Sequence, residues 1–85
     1  DWCRRSAEQG NVGAQQILGV MYFRGDGVPQ DYVQAHKWSN LAAAQGDKDA
    51  AVTRDDIAGK MTTVQIAAAE KLARGWKPTV SAGVD

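Results

Sequence analysis

The sequence predicts an all-α fold, a solenoid of antiparallel helix pairs, and three observations carry that expectation. The chain lies on itself at an offset of 36 residues, with Trp2 on Trp38, Gln9-Gly10 on Gln45-Gly46 and Ala14 on Ala50. A repeat of this length is one supersecondary unit, which buries its apolar face only against its neighbours. The apolar content is largely alanine, the strongest intrinsic helix former. Finally, glycines followed by capping residues divide the chain into helix-sized pieces with short connections, and short connections make successive helices antiparallel.

The elements follow in order. Residues 1–9 read as the second part of a helix stopped by Gly10, with Asn11 placed to cap the next one. Residues 12–24 form a helix with Ala14, Ile17, Leu18, Met21 and Tyr22 spaced to face inward. Gly25 ends it, and Gly25-Asp-Gly-Val-Pro-Gln-Asp31 is a turn in which Pro29 fixes one dihedral. Asp31 caps a helix reaching about Gln45, its inward positions being Tyr32, Ala35, Trp38, Leu41 and Ala42. Gly46 and Asp47 repeat the stop and cap of Gly10 and Asn11, and a helix over 48–60 follows with Ala51, Ile57 and Ala58 inward. Thr62 and Gln65 have the spacing of a capping box for a last helix over Thr63–Gly75, with Ile66, Ala69, Leu72 and Ala73 on one face. Lys77-Pro78 stops the pattern, and Thr79 to Asp85 is expected to fray.

Composition narrows the function. The 85 residues suffice for one small domain. Ten basic and ten acidic side chains cancel, which argues against a dedicated nucleic-acid or membrane-surface role, since phosphate binding needs concentrated positive charge. No apolar run approaches the roughly 20 residues that cross a bilayer, so no membrane insertion is expected. Cys3 is the one cysteine, which leaves no internal disulfide framework and no cysteine-rich zinc site. The chain opens inside a repeat, at Asp1-Trp2, and so reads as a piece of something longer.

No residue set points to catalysis, a metal or a cofactor. Cys3 is a bystander thiol, and His36, the sole histidine, is expected to face solvent. Asp26 and Asp31 stand in a glycine-rich turn, but Pro29 and the missing distal glutamate break a calcium-loop pattern, and capping accounts for Asp31. Gly25-Asp-Gly27 has no Lys-Ser/Thr after it to hold phosphate, and neither Ser6 nor Ser39 has a lysine three residues on.

The segment from Ala14 to Gly46 resembles the Sel-1-like repeat family, a relative of the tetratricopeptide repeats. The resemblance rests on Ala14, Leu18, Gly19 and Tyr22 in the first helix, then on Gly25, Gly27, Val28, Pro29, Asp31 and Tyr32 in the turn. Ala35, Trp38, Ala42 and Ala43 complete it in the second helix, before Gln45-Gly46. These positions also make a physical core: Gly19 admits a close partner helix opposite Ala35, while Trp38 and Tyr22 supply large apolar surface. The resemblance divides the chain into a truncated repeat (1–9), one complete repeat (10–46), a divergent C-terminal capping pair (47–78) and a tail (79–85). The offset puts Arg54-Asp55 where Leu18-Gly19 stood and no second Gly-Val-Pro turn follows, so the last pair looks like the polar end of an array. Arg54, Asp55, Asp56, Lys60, Glu70, Lys71 and Arg74 suit that role.

In this family the first helix of each pair lines a concave face. Here that face is expected to carry Gln16, Val20, Phe23 and Arg24, with Gly13, and one repeat later Val52, Asp56 and Lys60, with Gly59. Phe23 has a competing role, packing against the previous helix or the 25–31 turn. The resemblance implies a scaffold or adaptor that binds a protein or peptide, with a bacterial cell-envelope or secreted setting favoured. The alternatives are a small-ligand or β-lactam binder or weak hydrolase, as in a cysteine-rich branch whose disulfides this chain lacks, and a purely structural cap. Self-association is expected through the N-terminal edge around Trp2 and Ala7.

Overall fold

The computed structural model describes residues 2–77, and these form five helices: α1 (Trp2–Glu8), α2 (Val12–Arg24), α3 (Tyr32–Ala44), α4 (Lys48–Ala58) and α5 (Thr63–Gly75). The expected residues 79–85 tail lies outside the described residues, as does Pro78. No strand occurs among the described residues, and adjacent helices pack in a solenoid about 40 × 25 × 22 Å across.

Local chemistry sets the helix ends. At the end of α1 the Gly10 amide donates to the Ala7 carbonyl and the Asn11 amide to the Ser6 carbonyl, both near 3 Å. At the end of α3 the Gly46 amide donates to Ala43 and the Asp47 amide to Ala42 in the same pattern. Each is a Schellman closure, which needs the left-handed conformation that Gly10 (φ 98°) and Gly46 (φ 101°) adopt. The next residue in each case caps the following helix: Asn11 Oδ1 accepts from the Ala14 amide at 2.9 Å, and Asp47 Oδ1 from the Ala50 amide at 3.1 Å. One residue therefore closes a helix and opens the next, which leaves the chain a single way to turn.

The longer connection between α2 and α3 is tied back to α2. The Asp31 amide donates to the Tyr22 carbonyl at 3.0 Å, and Gln30 Nε2 donates to the Phe23 carbonyl at 2.8 Å. Asp31 then caps α3 through the Gln34 amide. Thr62 and Gln65 cap α5 reciprocally, Thr62 Oγ1 accepting from the Gln65 amide and Gln65 Oε1 from the Thr62 amide.

Helix α3 is the centre of the packing, with α2, α4 and α5 against it and α1 against α2. The buried apolar residues are Ala7, Ala14, Leu18, Ala35, Trp38, Ala42, Ala50, Ile57 and Ala69. Alanine dominates, so the helices approach closely, and the few large side chains supply most of the hydrophobic stabilisation, about 1.5–3 kcal/mol for each one fully buried. Cys3, Met21, Tyr22, Leu41 and Trp76 pack around the cluster of Ala7, Ala14, Leu18 and Trp38. A Cβ on Gly19 would stand 2.5 Å from Ser39 Oγ and 3.2 Å from the Ala35 carbonyl oxygen, so α2 and α3 touch there backbone to backbone.

The structure corrects several sequence expectations. Ile17 and Leu72, expected inward, are 49% and 44% exposed. Helix α2 is apolar around most of its circumference, so spacing cannot choose its buried side; α1 and α3 cover the sector of Ala14, Gln15, Leu18 and Gly19. Helix α5 packs chiefly on α3, which covers Ala69 and leaves Leu72 at the margin. On α4 it is Ala50, not Ala51, that is fully buried, and the helix ends at Ala58 rather than residue 60. Pro29, grouped with the repeat core, is exposed, because its contribution is a fixed dihedral in the turn rather than packing. His36, expected in solvent, is 3% exposed, since α4 and α5 close over its side of α3.

Candidate interaction surface

Helices α2 and α4 touch each other and both flank α3, so their outward sides are neighbours. On α2 the residues away from the core are Gly13, Gln16, Ile17, Val20 and Arg24; Gln16 and Val20 are half-buried, and Gly13, Ile17 and Arg24 are exposed. On α4 the corresponding row is Asp49, Val52 and Asp56, all exposed, with Val52 at 61%. Gly59 and Lys60 are exposed too, but they lie past the end of α4 and off its helical row. Phe23 leans away from this surface: it is half-buried, and its ring centre is 5.8 Å from that of Tyr32 at an interplanar angle of 42°. Ile17 takes its place as the large apolar group on α2, a residue that sequence spacing had assigned to the core.

A cleft of about 450 Å³ lies elsewhere, between α1, the 25–31 turn and α3. Arg4 Nη2 donates to Tyr22 Oη across it at 2.7 Å. Lys37 Nζ sits 4.2 Å from the centre of the Trp38 ring, a cation–π contact. Burial pushes the Lys37 ammonium below its ordinary range, with Arg4 acting in the same direction and Glu8 against it. Arg4 and Lys37 thus alternate with Glu8 and Asp31 around the cleft, and it has no dominant charge to draw an ion.

One buried polar residue escaped sequence reading. Gln15 is fully buried; its Nε2 donates to the Ala7 carbonyl at 3.0 Å, and its Oε1 accepts from Gln45 Nε2 at 2.8 Å. It joins the end of α1 to the end of α3 through α2. The only signal in the sequence is its place between core positions Ala14 and Leu18.

Among the described residues no group of three or more His, Cys, Asp or Glu side chains could hold a metal ion, and no helix is long and apolar enough to cross a membrane. What α2 and α4 offer is a surface on which apolar and charged groups alternate, suited to contact with another chain.

Two comparisons bear on this arrangement. No curated protein matches the chain. The family model of the Sel1 repeat matches residues 1–11, which hold α1, and again 12–47, which hold α2 and α3. With its 36-residue period, its paired helices and this match over more than half its length, the chain belongs to the Sel1 repeat family.

Proposed function

We propose that this chain binds a peptide or partner protein on the outward side of α2 and α4, as a scaffold or adaptor rather than an enzyme. Sel1 repeats are in general protein–protein interaction modules. The observation that carries the reading to this surface is the exposure of Val52 (61%) and Ile17 (49%) beside half-buried Val20, with Gln16, Arg24 and Asp56 around them. Apolar anchors in a polar surround are the usual composition of an interface centre and its rim. Phe23 has a smaller part here than the sequence suggested, because its ring is engaged with Tyr32.

The test is recovery of a partner by the wild-type chain against Val20→Asp and Val52→Asp, with Val64→Asp as a control on an exposed residue of α5. Loss in the first two and retention in the control supports the surface. Equal recovery by all four proteins removes α2 and α4 from the reading.

A second contact is proposed at the N-terminal edge, where a second copy of the chain packs on α1. Trp2, 74% exposed, is the observation that favours it. Sedimentation at micromolar concentration is expected to show a dimer that Trp2→Glu abolishes, and a clean wild-type monomer would overturn it.

A further inference from the structure

His36 is the chain's only histidine and is 3% exposed. It lies on the flank of α3 against which α4 and α5 pack. The charged groups that bear on it come from both helices, Arg54 and Asp55 from α4 and Glu70 from α5. Its Nδ1 is buried and has no hydrogen-bond partner among the described residues. A neutral imidazole can leave a ring nitrogen without a proton, whereas the imidazolium carries a proton on both. Protonation in place would therefore bury a charge and an N–H with no acceptor, which is costly in a low-dielectric interior.

We propose that His36 is a pH-sensitive clasp, holding α4 and α5 on α3 while its ring is neutral and releasing them when the ring is protonated. Release also breaks the smaller α2–α4 contact and the packing of Trp76 on Trp38, but the contacts of α2 with α1 and α3, built on Ala14, Leu18 and Trp38, do not run through α4 or α5. What would be uncovered is the seam of His36, Ala50, Ile57 and Ala69, together with the edge contact between Trp38 and Trp76, whose ring centres are 6.0 Å apart.

The sign follows from the environment of the ring. Burial, the largest influence, lowers its pKa; Glu70 and Asp55 work against this and Arg54 works with it, and the net direction is down. In the released state the ring titrates near its ordinary value of about 6.5. Between that value and the lower one of the closed state, the released form binds more protons. The closed state therefore has its full stability above about pH 6.5 and loses it as the pH falls toward the closed-state pKa. Each unit between the two pKa values moves the opening equilibrium by about tenfold.

The experiment uses the whole chain. With one histidine, imidazole NMR gives an unambiguous titration, and hydrogen exchange at about pH 5 and about pH 8 reads each helix after correction for intrinsic rates. The expected result is an imidazole pKa below about 6.5 and a fall in protection at low pH, confined to α4 and α5, of the size that the measured pKa difference sets. His36→Leu should abolish that fall. If His36→Leu does not fold, the wild-type titration decides alone. A pKa at or above the ordinary value, or loss of protection spread evenly over α2 and α3, would overturn the clasp.

Discussion

Trp2 and Trp38 occupy the same place in the repeat, 36 residues apart, yet Trp2 is 74% exposed and Trp38 only 3%. The same residue type in the same register has opposite surroundings because Trp38 has Ala7, Ala14 and Leu18 on one side and the edge of Trp76 on another. Repeat position says what a side chain is shaped to meet, and the neighbouring unit decides whether it meets it. The energetic difference should be large. Trp38→Ala is expected to cost about 3–5 kcal/mol, enough to leave much of so small a chain unfolded, while Trp2→Ala, measured below the concentration at which copies associate, should stay within about 0.5 kcal/mol. Urea midpoints of the two variants provide the check, and similar shifts would contradict the packing described.

The close approach at Gly19 gives a second prediction. Alanine there gains intrinsic helix propensity of about 1 kcal/mol, but its Cβ would press on Ser39 Oγ and on the backbone of Ala35 and Ser39. Backbone cannot move aside as a flexible side-chain end can, so Gly19→Ala is expected to be destabilising by about 1–3 kcal/mol. Gly13→Ala, on the open side of the same helix, should be neutral or slightly stabilising. Ser39 Oγ is buried with no hydrogen-bond partner among the described residues. Ser39→Ala should therefore be tolerated and should restore part of the stability lost in Gly19→Ala. Thermal melts of both single variants and the double variant would reveal the coupling.

Gln15 supplies a third. Its replacement by leucine keeps most of the volume but removes the donor to the Ala7 carbonyl and the acceptor for Gln45. The Ala7 carbonyl keeps the Gly10 amide as a donor, so what is lost is two hydrogen bonds worth about 0.5–1.5 kcal/mol each, and Gln15→Leu should be modestly destabilising despite its greater hydrophobicity. The loss should appear first as faster hydrogen exchange in α1, the helix with the fewest other attachments. A variant as stable as the wild type would show that the bridge is dispensable.

The capping box of α5 yields a local prediction. Thr62→Ala removes the acceptor for the Gln65 amide and should cost about 1 kcal/mol. Residue-resolved exchange should place that loss in the first turn of α5, leaving α2 unchanged.

Much of this architecture is legible in the sequence because it rests on local chemistry. Gly10 and Gly46 stop helices, Asn11, Asp31, Asp47 and Thr62 open them, and the expected limits of α2 and α5 coincide with those observed. Of the expected surface residues, Val52 and Asp56 stand together on the outer side of α4, since a short helix leaning chiefly on α3 has an obvious far side. The misassigned residues share another property. Ile17 lies on a helix apolar nearly all round, His36 is polar at a position later covered by two helices, and Gln15 is a polar residue satisfied only by Ala7 and Gln45.

The sequence by itself determined the period, the helices, their caps and the family, all of which depend on residues within one repeat of each other. Only the tertiary structure decided which side of each helix is covered. That choice arises where α2, α4 and α5 meet α3 and where α1 meets α2, and it turns equivalent residues into unlike ones. Burial is a property of the neighbours a side chain finds, so it separates Trp2 from Trp38, exposes Ile17 and encloses His36.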